Sequence, residues 1–395
     1  MSIVDSGSSP THHEIFQRAT ALRSRIQGWR EEIHRRPELG FQEFLTSELI
    51  AGVLRDLGIE TETGVAKTGV VGTIRGGAGD VVALRADMDA LRITEKNGTD
   101  FDSTREGLMH ACGHDAHTAM LLGVATLLQE LAEQGHLPGT VRLLFQPSEE
   151  GLCGAMPMIE EGKLDGVNAV FGLHCDPTKR VGTVATRVGP MLPGRAGFRI
   201  GVFGEQGSDA VVEAIEKLAV QRQHDPECGF RFRALDGKNR LRIQGRIRYF
   251  AEEDLDMLQQ DLREACRVIE NLGGHFRMDI RLGLPPIVNA PEAFDVATAA
   301  ITSMLGEGHV IDASRADLGR MTGGPSKTVS YPVDDFAWMA QKAPGCFMFL
   351  GVQSPSWGEE KHYLHTPTFR LDPDAYAIGA ATLTASARDW MTAHS

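Results

Sequence analysis

A chain of 395 residues exceeds what one hydrophobic core usually sustains, so a large domain with a smaller companion is expected. Hydrophobic residues make up 42% and charged residues 24%, the balance of a globular protein able to bury a sizeable core. A formal net charge of -13 disfavours nucleic acid and anionic membrane as partners, since both are bound largely through Lys and Arg. The opening MSIVDSGSSPTHHEIF carries no charged segment followed by an apolar run, and no stretch is long enough to cross a bilayer, so a cytoplasmic protein is expected. From Glu14 to Arg35 the residues Ile15, Ala19, Leu22, Ile26, Trp29 and Ile33 recur at helical spacing, and a second helix is predicted over Phe44 to Leu57. Strands are predicted at Val70 to Ile74 and Val81 to Leu84, then an apolar helix from His114 to Leu131. A strand at Thr140 to Phe145, a short helix at Ala155 to Glu160 and a strand at Ala169 to Leu173 continue the alternation, which predicts an α/β layout.

The run GPMLPG, ending at Gly194, is rich in turn formers, and an inserted domain is placed after it. Its expected parts are a strand at Phe198 to Val202, a helix at Asp209 to Ala219, strands near Phe230 and over Leu241 to Tyr249, a helix at Glu252 to Asn271 and a strand at Phe276 to Leu282. Together they form a β-α-β-β-α-β layer. LGLPPIVNAP is the expected return crossing, followed by a helix from Pro291 to Leu305, a strand at Cys346 to Leu350 and a last helix at Asp372 to Trp390. The domain boundaries are accordingly 1–190, 191–285 and 286–395. Six cysteines are scattered through a long chain without a secretory signal, so free thiols or ligands are expected rather than disulfides.

Four segments carry residue types suited to chemistry. In His110-Ala-Cys-Gly-His-Asp115, Cys112 and His114 stand two residues apart where a loop meets a helix start, and both can turn toward one ion. On its own the segment reads equally well as a loop with incidental histidines. Gln146-Pro-Ser-Glu-Glu150 follows a predicted strand, where open α/β sheets place their ligands. One of the adjacent carboxylates can ligate an ion while the other takes a proton from a water acidified by it; a solvated acidic turn is the plainer alternative. His174 follows an apolar strand and, alone, reads as a core histidine; His365 alone reads as a solvated loop residue. Their conjunction, one Cys, three His and a carboxylate, matches the mixed ligand set of a divalent cation.

Several segments in order, HRRPELGFQE, LRADMDAL, MHACGHDAHTAMLLG, LLFQPSEEG, FGLH, VDDF and LHTP, give a chain that resembles the M20 metallopeptidase and aminoacylase family. Within it, the likeness is to amidohydrolases of N-acyl and indole-acetyl amino acids, hippurate and aminobenzoyl-glutamate. The resemblance implies an α/β catalytic domain with a zinc-peptidase-like mixed sheet, interrupted by a ferredoxin-like lid that often mediates homo-oligomerisation. It also implies Cys112, His114, Glu150, His174 and His365 as ligands of one or two Mn²⁺ or Zn²⁺ ions. Glu149 becomes the general base, and Asp89 the carboxylate that orients a ligand.

The sequence also departs from that pattern. Where relatives carry a Gly-Gly-His-Gly-like turn whose histidine stabilises an oxyanion, this chain reads Phe203-Gly-Glu-Gln-Gly-Ser-Asp209. Arg240 and Arg242, or Arg231 and Arg233, alternate along predicted strands and are candidates for holding a substrate carboxylate. The expected activity is therefore hydrolysis of a C–N bond in a small carboxylated amide. The alternatives are hydrolytic deamination of an electron-poor aromatic amine, as in a family member acting on 5-nitroanthranilate, and a metal-binding relative without catalysis, against which the Glu149-Glu150 pair argues.

Overall fold

The computed structural model describes residues 9–204, 207–222, 225, 227–237, 240–314, 321, 332–358 and 360–395, with the side chains of 236, 237 and 240 excluded. Helix α1 (His12–Ala21) starts at Thr11, whose hydroxyl accepts the Glu14 N–H while the Glu14 carboxylate accepts the Thr11 N–H. The single predicted helix is broken at Leu22, whose N–H is shared by the Arg18 and Ala19 carbonyls, and resumes as α2 (Arg23–Arg35). Helix α3 (Phe44–Asp56) and strands β1 (Glu60–Val65), β2 (Gly69–Arg75) and β3 (Val81–Asp87) follow. Strand β1 escapes sequence reading because ETETGV is exposed over most of its length and has no apolar face.

Helix α4 (His114–Glu133), β4 (Thr140–Gln146), α5 (Ala155–Glu160), β5 (Ala169–Arg180), β6 (Val184–Thr186) and β7 (Gly189–Leu192) continue the chain. The GPMLPG segment is therefore strand rather than turn, its proline tolerated on a short edge ladder. Next come β8 (Gly194–Phe203), α6 (Ser208–Gln221), β9 (Cys228–Gly237), β10 (Arg240–Tyr249), α7 (Glu252–Cys266) and β11 (His275–Leu282). The last part holds β12 (Ile287–Asn289), α8 (Pro291–Leu305), β13 (Val310–Asp312), α9 (Phe336–Ala340), β14 (Gly345–Gln353) and α10 (Ala375–Ala393). Helix α7 is shorter than predicted because Arg267–Leu272 tightens into a 3-10 turn ending at Gly273.

The chain divides into two compact units, one of which includes the continuous stretch Pro190–Ile287. In the larger unit the sheet order is β1-β2-β4-β3-β5-β14-β6-β13, mixed in direction, with β4, β3, β5 and β14 parallel at its centre. Strand β14 is buried at every position, as a central parallel strand must be. Helices α4 and α10 are buried on nearly all sides, so neither shows a polar face. The smaller unit has a four-stranded antiparallel sheet, β11-β8-β10-β9. Ala196, Phe198, Ile200 and Val202 of β8 form one core with Val211 and Ile215 of α6 and Leu255, Leu258 and Leu262 of α7. This is the α/β class with an inserted β-α-β-β-α-β layer.

Candidate metal centre

Loops after the parallel strands β3 and β4, strand β5 itself and one late loop place the candidate residues. Gly113 caps α4 in the left-handed region (φ 87), where a Cβ would also press on the Phe369 ring at 3.3 Å. The sharp turn it makes lets its neighbours Cys112 and His114 point at the same place, both buried. After β4, Ser148 adopts a positive φ of 53°, and its N–H donates to Glu43 Oε1 at 2.9 Å. The next two N–H groups donate to one carboxylate, Glu149 to Asp89 Oδ1 at 2.9 Å and Glu150 to Asp89 Oδ2 at 3.1 Å. Asp89 Oδ1 also lies 3.3 Å from His114 Nδ1, so Asp89 ties the loops after β3 and β4 to the start of α4.

Hydrogen-bond partners fix which nitrogens keep lone pairs. His174 Nδ1 donates to the Cys175 carbonyl at 2.9 Å, leaving Nε2 free to face Cys112 Sγ at 3.4 Å. His365, itself at φ 58 and anchored through its N–H to Ala111 O, puts Nε2 3.2 Å from Cys112 Sγ and 3.2 Å from Glu150 Oε1. His114 Nε2 and Glu150 Oε1 are buried without a hydrogen-bond partner. One atom each from Cys112, His114 and Glu150 lies within 4.8 Å of the others. His174 sits inside β5 rather than beyond its end; yet β5 runs beside β3 only as far as Gly172, so the imidazole clears that strand.

The donor set fits a divalent cation, because imidazole nitrogens, a sulfur and a carboxylate oxygen lie together and two of these buried atoms, His114 Nε2 and Glu150 Oε1, have no hydrogen-bond partner. Electrostatics agree. Burial, Glu150 and Glu149 push the Cys112 thiol well up, and burial with Asp334, Glu150 and Asp335 pushes the Glu149 carboxyl well up against Arg85. Burial opposes the charged form of His114, but Asp87 and Asp89 outweigh it and raise it to about 10. The cluster thus holds protons where a cation would otherwise supply positive charge.

Sequence reasoning assigned no role to His117, Asp87, Arg85, Asp334 or Asp335. His117 donates from Nδ1 to Asp87 at 2.6 Å and accepts the Cys175 N–H at Nε2, so it buttresses the site and offers no free donor. Arg85, buried, reaches Asp87 at 2.7 Å, Asp334 at 3.0 Å and Asp335 at 3.3 Å. Asp335 further accepts the Gly154 and Ala155 N–H groups at the start of α5, yet burial holds its carboxyl up at about 7. Replacing Arg85 with Met is expected to cost about 3–5 kcal/mol, since it strands buried carboxylates. Equilibrium urea unfolding measures this, and a loss below about 1 kcal/mol would show the carboxylates satisfied without it.

Behind α4, His34 lies between Asp115 (Nδ1, 2.7 Å) and Glu95 (Nε2, 2.9 Å), with Arg30 on Asp115 at 2.6 Å. Burial and Arg30 work against its charge, but the two carboxylates prevail and raise its pKa. A raised histidine stabilises fully below its unfolded value, about 6.5, and that stability is lost as pH rises through the folded value. His34→Gln should therefore lower Tm most near pH 6, with the gap narrowing in alkali; a gap constant across a differential scanning fluorimetry pH series would mean His34 is neutral throughout.

Arg242 lies exposed on the four-stranded sheet, with Arg231 and Arg233 exposed on its neighbour β9, and the Arg240 side chain is outside the described residues. No helix among the described residues is long and apolar enough to cross a membrane.

A family model described as Peptidase family M20/M25/M40 matches residues 83–389. Thermostable carboxypeptidase 2 of Saccharolobus solfataricus is 35% identical over 393 residues, covering 90% of this chain and 93% of that protein. N-acetyl-L-cysteine deacetylase of Bacillus subtilis is 33% identical over 396 residues, covering 93% and 89%. Among solved structures, the Bacillus subtilis YXEP protein, described as a dinuclear metal-binding peptidase, aligns with a TM-score of 0.82 at 30% identity, covering 94% of this chain and 99% of that one.

Proposed function

Because the chain belongs to the M20/M25/M40 peptidase family and is a metal-dependent hydrolase, we propose that it cleaves the amide bond of an N-acyl or N-aroyl amino acid with Glu149 as general base. The observation that carries this reading is the convergence of open donor atoms from Cys112, His114, Glu150, His174 and His365 beside a buried second carboxylate. These five residues would hold Mn²⁺ or Zn²⁺, one or two ions per chain; when bound, such an ion acidifies water and polarises a carbonyl oxygen. Glu149 Oε2, 3.9 Å from His114 Nε2, receives the proton of the attacking water and returns it to the departing nitrogen. Asp89 keeps Glu149 and Glu150 aimed in different directions by holding both their N–H groups. The names of the relatives support this substrate class, since a carboxypeptidase and an N-acetyl-L-cysteine deacetylase both release a free amino acid from an amide. A homo-oligomer belongs to the same reading, and light scattering after size exclusion tests it.

A second reading, hydrolytic deamination of an electron-poor aromatic amine, is favoured by one feature: the segment 203–209 contains no histidine. Charge spread into a ring needs no oxyanion donor from that turn. Metal-loaded protein incubated with N-acyl and N-aroyl amino acids, and separately with electron-poor aminobenzoates, separates the two by mass spectrometry. Free amino acid is the expected product; ammonia with a hydroxylated ring would transfer the assignment to deamination, and no product from either panel would remove both.

A further inference from the structure

His365 differs from the other candidate ligands in what holds it. Cys112, His114 and His174 are buried, and the two histidines belong to α4 and β5. His365 lies instead between β14 and α10, its side chain 40% exposed and its backbone in the left-handed region at φ 58. An L-residue other than Asn or Asp is disfavoured in that region and stays there only where its surroundings impose it. One such contact is its own N–H, which donates to the Ala111 carbonyl at 2.8 Å. That bond ties down one peptide group and leaves the chain around it to be held by other means.

Those means converge on His362, which is buried. Its Nδ1 lies 2.9 Å from the Thr368 carbonyl and its Nε2 3.0 Å from Arg370 Nε. A carbonyl only accepts and a guanidinium only donates, so the tautomer is fixed: Nδ1–H donates to Thr368, and Nε2 accepts from Arg370. One neutral ring therefore joins the limb of chain that enters His365 to the limb that leaves it. Trp357 packs edge-on against that ring, centroids 4.7 Å apart, and carries the Arg370 guanidinium over its own face at 5.0 Å. Inside the closed loop the Thr366 hydroxyl donates to the Tyr363 carbonyl at 2.7 Å. On its outer side the Lys96 N–H donates to the Pro367 carbonyl at 2.8 Å, and Asn97 Nδ2 to that of Phe369 at 2.9 Å.

We propose that His362 is the positioning residue for His365: it closes the loop that keeps the ligand's imidazole beside Cys112 and Glu150, and metal affinity depends on it. Both its own nitrogens are engaged, so it has no lone pair for an ion. With the loop open, His365 would relax to negative φ, which swings its side chain away from Cys112 Sγ and Glu150 Oε1, each 3.2 Å from its Nε2. Fixing the ring before the ion arrives removes an ordering cost from binding. The neutral form matters, because a proton on Nε2 would set one donor against another at Arg370. Burial and Arg370 keep the His362 pKa below the usual histidine value, against the Thr368 carbonyl and Glu360, so the acceptor is present at neutral pH. This role rests on His365 as a ligand in the reading above, and not on which bond is cleaved.

Competition titration of Zn²⁺ against a fluorescent chelator, on the whole chain at pH 7.5, tests the proposal. His362→Phe keeps the bulk of the ring and loses both bonds, and it should weaken zinc about 10–100-fold, the range that partners behind metal ligands command. His362→Gln, whose amide oxygen reaches the place of Nε2, should stay nearer the parent. Arg370→Met breaks the same bond from its half-exposed side and should weaken zinc about tenfold, which keeps the test open where His362→Phe fails to fold. Each change is repeated in a His365→Ala background, where it should cost less than about twofold because the residue being positioned is gone. Equal weakening in both backgrounds would make His362 a general support of the fold and overturn the role. Weakening by His365→Ala alone would overturn it while keeping His365 as a ligand, whereas no effect of His365→Ala would remove the ligand and the role together.

Discussion

Glu149→Gln should lower kcat by about 10²–10⁴ while leaving bound metal unchanged, the range general-base catalysis contributes. The substitution is nearly isosteric, and the contact that positions the residue is made by its backbone N–H to Asp89, so geometry is retained and proton acceptance is lost. Burial, Asp334, Glu150 and Asp335 all oppose a charged Glu149, and a cation held by the neighbouring ligands would favour its carboxylate form. Glu150→Gln has a different signature, because it removes the anionic oxygen beside His365 and should reduce metal content together with rate. Metal analysis alongside kcat and KM separates the two. A Glu149→Gln enzyme within threefold of the parent would place the base elsewhere.

Much of the site was legible because its residues interrupt apolar patterns abruptly. Glu149 and Glu150 follow a strand, and Cys112 and His114 flank a glycine at a helix start, places where burial alone does not select such side chains. What local pattern hides is pairing at a distance. Arg85 looks like a charge misplaced in an apolar strand until the fold brings Asp334 and Asp335 to it across roughly 250 positions. His117 shares its motif with His114, yet the Cys175 N–H that occupies its Nε2 comes from β5, which no spacing rule indicates. The short strands β6, β12 and β13, three residues each, are too brief for periodicity to register and exist because longer neighbours offer them backbone partners. His174 was expected just past a strand that in fact continues to Arg180, since β14 prolongs the ladder on one side after β3 has ended.

Withdrawing the divalent ion should abolish turnover and lower Tm, and readdition should restore both. Without it, the thiol of Cys112 is pushed up by burial and by Glu150 and Glu149, while His114 keeps a proton on account of Asp87 and Asp89. Those protons must leave when metal binds, so affinity should tighten as pH rises. A free metal concentration a thousandfold above Kd stabilises the folded state by about 4 kcal/mol, which a chelator would remove. Cys112→Ser sharpens the test. It exchanges a soft sulfur, 3.4 Å from His174 Nε2 and 3.2 Å from His365 Nε2, for a hard oxygen in nearly the same place. Zinc affinity should fall more than manganese affinity, because thiolate favours the softer ion. Competition titrations with a fluorescent chelator read both constants. Equal losses for the two ions would remove the thiol's role in selectivity, and no loss for either would take Cys112 out of the ligand set, leaving three imidazoles and Glu150 to hold the ion.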